Sequence, residues 1–580
     1  MFFFFEYILV AILIVATCFL RSFPSGWFQA AEQYLSRLAR RRALAVLLVG
    51  VLALAIRAAL LPNMPVPKPG ILDDFCYLLT ADTFAHGRLA NPTHPMWIHF
   101  ETFYVNQKPT YMPMHYAGQG LLLALGQVIG GHPWVGVWLS AGVMCAAICW
   151  MLQGWVPPGW ALLGGMLPLL RIGVFSYWMN SYCGGALAAT GGALVLGALP
   201  RMKKRPRVGL AVLMGMGFAI LVNTRPYETL FFGFPVLVAL LGWMVGKERP
   251  PWRQALPRVV LPLSLCVVGT LLWTGYFFYR VTGSPFRIPY QVNLDTYIAV
   301  PYFPWQALNL THTYHHPVLE RFFLHDWQMH DYYVARTVPF DLLAWKLKQI
   351  YRFFLGPALI LPLVVFLATL SPAQLLRKAT AGKTGFLVAV CGATFVGLAL
   401  PIYYCAQYAA PMTAAVYALV LQSMRYLRLW CWRGERVGLG LVRAIPALCI
   451  LLFLLRAFAP QLQIPTPVEW DFSWDSAHFQ NFDRARALAQ LQGLPGDHLV
   501  IVRYNQYHDL NNEWVYNKAD IDTGKIVWAR DMGDSQNTDL VRYFSKRHVW
   551  LAEPDLAPPR LSPYPVRADE RTSPPAPATP

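Results

Sequence analysis

Charge is scarce in this chain of 580 residues: 13% are Asp, Glu, Lys or Arg, against 56% hydrophobic. With a mean hydropathy of +0.38, that scarcity excludes an ordinary soluble globular protein. Acidic residues are scarcest, 30 against 48 Lys and Arg, for a formal net charge of +18. A nucleic-acid binder would gather such an excess on one face of a soluble module. Here it falls in short clusters between apolar runs, so no nucleic-acid partner is expected. Anionic membrane lipids are the partner these clusters fit. The ten cysteines are scattered with no CxxC pair, which excludes a disulfide or zinc framework and leaves them as small residues of apolar segments. No internal repeat of fixed period is present. The first residues, Met1–Glu6, carry no basic leader, so the run after them is expected to be a retained span and not a cleaved signal.

What the chain does have is a series of apolar runs near the length that crosses a bilayer. They are Phe2–Leu20, Ala43–Leu61, Trp134–Leu152, Gly159–Trp178, Gly184–Leu199, Val208–Val222, Tyr227–Val245, Val259–Phe278, Phe353–Leu370, Gly385–Tyr404, Ala406–Met424 and Val437–Ala459. The expected fold is therefore an all-α polytopic membrane protein with about twelve transmembrane helices. Tyr116–Gly130 reads as either a further span or a helix at the surface. Basic clusters lie at Arg37–Arg42, Arg201–Arg207, Lys247–Arg258, Arg377–Lys383 and Arg425–Arg436. All fall on one side when the spans simply alternate, and that side is cytoplasmic by the positive-inside rule. Both termini, the loop over residues 63–133 and the loop over 280–349 are then expected outside an inner (plasma) membrane.

Past Pro460 the chain turns polar. His498–Tyr504, Lys525–Asp531 and His548–Pro554 read as short strands, and Thr538–Ser545 as a helix. Residues 461–555 are expected to form a small α/β extracytoplasmic domain after the membrane domain of 1–460. The Pro-rich 556–580 reads as disordered.

The residues with the clearest chemistry are Asp73 and Asp74, adjacent in Ile71-Leu72-Asp73-Asp74-Phe75 and about a dozen residues past the second apolar run. A helix N-cap accounts for one acidic residue there and poorly for two. A carboxylate at the membrane boundary with no basic neighbour in sequence is costly unless it is used. Further along this loop, Glu101, Lys108 and His115 are candidate substrate contacts, and His94 and His99 accompany them. Asp82, about two helical turns on, reads as structural. Two arginines sit near the outer ends of spans: Arg171 in an otherwise apolar segment, and Arg225 before Pro226 with Glu228 close by. Each reads either as an internal ion pair or as a cationic receptor for a phosphate, which guanidinium groups bind bidentately. The His/Glu spacing of the first loop matches no metal motif. The residues imply neither a cofactor nor a metal, and leave a divalent ion open. A second cluster, His312, His315, His316, His325 and His330, reads as polar loop surface or as a closing loop.

The acidic pair, its place after a span, and the helical stretch running to Gly87-Arg88 resemble the first external loop of the GT-C glycosyltransferases. The nearer likeness is to their dolichyl/polyprenyl-phosphate-mannose protein mannosyltransferase-like branch. Thr282-Gly283-Ser284-Pro285 after a middle span is similar as well. The resemblance runs through Leu44–Met424 in order and topology. It implies a polyprenyl-phosphate-linked sugar donor, a lipid, glycan or protein acceptor carrying a hydroxyl, and transfer with inversion at the outer face. Asp73 would be the general base and Asp74 would help place the acceptor, while Arg225 and Arg171 would receive the donor phosphate. Two positions depart from the pattern: Ala117-Gly118 stands where relatives carry Pro-Pro, and Gln407 where they tend to carry His or Arg. The alternative is a polytopic transporter or flippase of lipid-linked saccharides. It fits less well, because transporters place ionisable residues at mid-membrane between repeats and this chain concentrates its polar residues in outer loops.

Overall fold

A computed structural model describes residues 2–19, 25–247, 249–369, 382–432, 434–466, 468 and 473–565. Arg377, Lys378, Arg433 and the Pro-rich residues from 566 onward, on which parts of the sequence reading fall, lie outside them.

Among the described residues seven helices are long and apolar enough to cross a membrane: Arg42–Ala59, Trp134–Leu152, Pro226–Val245, Trp252–Thr282, Pro339–Ala368, Gly382–Ala399 and Val437–Ala457. Three shorter apolar stretches, Phe2–Thr17, Ala117–Gly130 and Val208–Thr224, join them. Large apolar side chains point outward from these helices, as on Trp252–Thr282 with Leu265 at 63% and Leu272 at 69% exposure. Such a face is stable only against lipid. Inside the bundle, small residues let backbones meet. A Cβ on Gly191 would lie 2.9 Å from the Gly217 carbonyl oxygen, and one on Gly217 would lie 2.7 Å from that of Gly191. This is the close approach that packs membrane helices in the absence of a hydrophobic drive.

Of the twelve expected spans seven correspond to these long helices and two, Phe2–Leu20 and Val208–Val222, to the shorter stretches. Gly184–Leu199, whose helix is Ala186–Lys204, is in neither group. Three of the twelve differ in detail. Gly159–Trp178 is not one helix: Pro158–Pro168 passes into a π-helical turn, Leu169–Gly173, and the chain breaks before Tyr177–Asn180. The widened turn follows Pro168, which has no N–H to give the ladder. Ala406–Met424 begins as a 3₁₀ turn, Ala406–Met412, before the helix Thr413–Leu427. The helix expected from Phe353 starts at Pro339 instead, with a π turn at Tyr351–Leu355 ending on Gly356 at φ +61°.

Above the bundle lies a polar cap. The helix Leu72–Ala85 is followed by a loop whose strand Thr110–Pro113 pairs with Asn91–Pro92 and with Val105–Asn106. Helices Pro289–Thr296, Pro317–His325 and Trp327–Thr337 come from the later long loop. The C-terminal segment forms a four-stranded sheet in the order Ile526–Arg530, His498–Val502, His548–Glu553, Arg560–Pro563. The first three strands are parallel and the last is antiparallel. Arg560–Pro563 lies in the stretch expected to be disordered. Its pairing with His548–Glu553 gives that strand's open edge a partner. Cap and sheet share one apolar core, in which Leu72, Phe75 and Leu79 meet Phe103, Phe322, Leu499 and Val527. Phe75 stacks on Tyr516 with centroids 4.5 Å apart.

Candidate functional site

The segment before the acidic pair is held in place by the far end of the chain. Lys68 N donates to Gln480 Oε1 at 2.7 Å and Asn481 N to the Pro69 carbonyl at 3.3 Å. A Cβ on Gly70 would sit 2.1 Å from the Phe479 carbonyl oxygen, so only glycine fits under this strap. The chain then enters the helix Leu72–Ala85, and the two aspartates, one residue apart on it, point different ways.

Asp74 is fully buried. Its Oδ1 accepts from Tyr182 N at 2.8 Å and from Cys183 Sγ at 3.3 Å, and its Oδ2 accepts from Gly70 N at 3.1 Å. His478 Nε2, from the strap, lies 3.6 Å from Oδ2. A carboxylate that accepts two backbone N–H groups is a joint between segments.

Asp73 keeps 29% of its side chain exposed, and His115 Nε2 lies 3.1 Å from its Oδ1. Burial works to raise this carboxyl. The His115 hydrogen bond and the charges of His115, Arg225 and His478 outweigh it, and the group sits below its ordinary value. His115 is itself fixed by the Tyr77 ring, centroid to centroid 4.6 Å, with Tyr104 at 6.4 Å. It stands just before the helix Ala117–Gly130. There a Cβ on Gly118 would meet the Asn223 carbonyl oxygen at 2.7 Å.

Arg225 closes the same region from the junction of Val208–Thr224 and Pro226–Val245. Its guanidinium lies 4.4 Å from the centroid of the Tyr408 ring. Among the described residues it makes no ion pair within 4.0 Å and no hydrogen bond, Glu228 included. It lines a small cavity with Tyr77, Tyr116, Gln119 and Cys183. The Asp73 carboxyl and the Arg225 guanidinium thus lie within electrostatic reach of one another with no ion pair between them.

The other expected residues lie elsewhere. Arg171 takes the ion-pair alternative: buried in the π turn, it donates to Glu6 at 2.9 and 3.1 Å and sits over the Trp474 ring at 4.8 Å. Glu6 also accepts from Ala358 N at 3.0 Å. Asp82 is a structural link, accepting from Ala519 N of the C-terminal sheet domain at 2.9 Å. Glu101 and Lys108 line a second cleft between the two long loops, joined there by His312 and His315, while His316 lies buried 3.5 Å from Glu101 Oε2. His94 faces Asp522 at 3.1 Å and His99 the Arg530 carbonyl at 3.3 Å. Gln407 is turned away from the site: the Tyr177 hydroxyl donates to its side-chain oxygen, and its backbone N–H donates to that hydroxyl at 3.0 Å. Sequence reasoning missed Tyr408, one residue on, and His478, whose polar surroundings gave no signal of a contact with the first loop.

No family model matches the chain, and no curated protein matches it. Among solved structures it is similar to the archaeal oligosaccharyltransferase AglB from Archaeoglobus fulgidus in complex with an inhibitory peptide and a dolichol-phosphate. That match has 11% identity over 87% of this chain and 69% of that one, with a TM-score of 0.42. It is similar also to ArnT from Cupriavidus metallidurans bound to undecaprenyl phosphate, at 12% identity over 87% of this chain and 92% of that one, TM-score 0.46. At these scores the likeness is one of outline and assigns no residue.

Proposed function

We propose that this chain is a membrane glycosyltransferase of the GT-C type, moving a sugar from a polyprenyl-phosphate-linked donor to a hydroxyl acceptor at the outer face of the plasma membrane. The observation that supports this reading is that Asp73 and Arg225 lie within electrostatic reach of one another with no ion pair between them. Asp73 takes the proton as the acceptor oxygen attacks the anomeric carbon. The bond from that carbon to the phosphate oxygen breaks on the opposite side, so configuration inverts. Arg225 receives the charge that develops on the leaving phosphate. His115 holds the Asp73 carboxylate in one orientation, and Asp74 fixes the backbone from which Asp73 projects. The acidic pair in the first loop supports the mannosyltransferase-like branch within this class.

The test is a comparison of Arg225→Ala with Arg225→Lys, using binding of undecaprenyl phosphate to the purified protein in nanodiscs. Loss of charge-assisted hydrogen bonds should weaken binding about 10- to 100-fold in Arg225→Ala. Arg225→Lys should fall between that variant and the wild type, because it keeps charge and loses the fork. Unchanged affinity in both, with a lowered melting temperature, would make Arg225 a structural residue and remove the phosphate site.

A further inference from the structure

The two long loops hold a cleft of about 420 Å³ that the proposed reaction does not use. That volume falls within the roughly 300–1,000 Å³ of small-molecule sites. One wall comes from the first loop, with Trp97, Glu101, Asn106, Gln107 and Lys108; the other comes from the later loop, with Asp295, Tyr297, Asn309, Thr311 and His315 among others. Its floor is built. Glu101, 1% exposed, accepts from the Tyr297 hydroxyl at 2.7 Å and meets His315 Nδ1 at 2.9 Å. Arg530 Nε, from the C-terminal sheet, donates to the Glu101 backbone carbonyl at 2.6 Å. Gln107, also 1% exposed, donates to the Phe100 carbonyl at 2.8 Å and leaves its buried Oε1 without a partner. An orphaned buried acceptor lining a cleft asks for a donor from outside.

The lining also selects the chemistry. It contains no arginine and a single lysine, Lys108, and of its two carboxylates Glu101 is met by His315 and Asp295 is paired with Arg287 at 2.7 Å, so an isolated phosphate has no cluster of cations to seat it. Its side chains are mostly amides, hydroxyls and imidazoles, which suit neither an acyl chain nor an apolar peptide. Trp97 supplies the broadest ring, with Lys108 Nζ 4.6 Å from its centroid. Alternating donors and acceptors beside an aromatic surface suit the hydroxyls and C–H face of a sugar ring.

The chain itself ties this cleft to the Asp73 site. Tyr104, whose ring meets His115, is two residues from Asn106, so their Cα atoms lie within about 7 Å. We infer that the cleft is a saccharide subsite, holding a sugar unit of a glycan whose reacting end lies at Asp73. For its purpose this rests on the glycosyltransfer reading, but binding is measured without transfer. The same ring chemistry has two sources, a glycosylated acceptor or an extended donor head group.

The experiment is saturation-transfer difference NMR on the full chain in nanodiscs, with D-mannose, D-glucose, D-galactose and N-acetyl-D-glucosamine as separate probes. At least one should receive saturation at its ring protons, in the wild type and in Asp73→Asn and Arg225→Ala alike. Gln107→Ala and Trp97→Ala should reduce it roughly 2- to 10-fold, as expected for one or two lost contacts. Lys108→Ala and Asp295→Ala change more exposed side chains, and they decide the matter if a buried variant fails to fold. Saturation of no probe overturns the inference, as does a signal indifferent to all four cleft variants or lost in Arg225→Ala. With transfer in hand, a raised acceptor KM in the cleft variants assigns the sugar to the acceptor, and a raised donor KM assigns it to the donor.

Discussion

Exchanging the two adjacent aspartates one at a time should separate chemistry from architecture. Asp74→Ala leaves two buried backbone donors, Gly70 N and Tyr182 N, without their acceptor. Each orphaned donor costs about 1–3 kcal/mol, so about 2–6 kcal/mol of stability should be lost. Asp73→Asn keeps the side-chain shape of a residue that is 29% exposed and has one hydrogen-bonding neighbour, His115. Its stability cost should stay under about 1 kcal/mol. The rate is another matter, because removing a general base slows transfer roughly 10²- to 10⁴-fold, or about 3–5 kcal/mol of barrier. The assay is single-turnover transfer from a polyprenyl-phosphate-linked sugar in nanodiscs, run beside thermal unfolding of the same preparations. Asp73→Asn should unfold with the wild type and turn over slowly, and Asp74→Ala should unfold early. Near-normal turnover in Asp73→Asn would refute the base assignment. Wild-type stability in Asp74→Ala would refute the joint.

Arg171→Met should leave Glu6 buried and unpaired, lowering stability by about 3–5 kcal/mol with undecaprenyl phosphate affinity unchanged; a selective loss of affinity would return Arg171 to the phosphate site. Burial, with Arg530 and the neighbouring histidines His99 and His315, pushes the His316 imidazole down to about 3 against an ordinary 6.5. The unfolded chain therefore binds more protons between those limits, so the His316 contribution is complete above pH 6.5 and lost as pH falls toward 3. Glu101, which burial pushes up, titrates in the opposite sense, so the comparison is with His316→Gln, whose denaturation midpoint should depend less on pH over that window. An equally steep fall in His316→Gln would count against this account. Reporter fusions after Arg207 and after Pro460 should report opposite sides of the membrane, and the same side for both would overturn the orientation.

The seven long apolar helices were legible because bilayer thickness and the lipid-facing surface write themselves as long apolar runs. The C-terminal strands His498–Val502, Ile526–Arg530 and His548–Glu553 were legible as apolar stretches between polar ones. What the pattern did not show depends on partners far apart in sequence. Glu6 stood in a phenylalanine run with nothing to mark it as the counter-ion of Arg171, 165 residues on. The strand Arg560–Pro563 was masked by its prolines, because its pairing depends on an edge supplied by His548–Glu553. In the site, the two aspartates stood together and Asp74 was expected to help place the acceptor, but its buried joint was not legible. The joint depends on Tyr182 and Gly70 reaching Asp74, while His115 reaches Asp73. His478 carries no local signature at all, since its contact with Asp74 is made only when the strap crosses Gly70.

That strap has a consequence in time. About 400 residues separate Asp73 from His478, and at about 5–20 residues per second a ribosome needs about 20–80 s to make them. Through that interval the loop carrying the aspartates exists without the backbone that presses on Gly70 or the Ala519 amide that holds Asp82. The site is translated early and completed late. A chain interrupted before His478 would lack the contacts that press on Gly70 and reach Asp74, so the acidic pair is fully set only once the strap has been made.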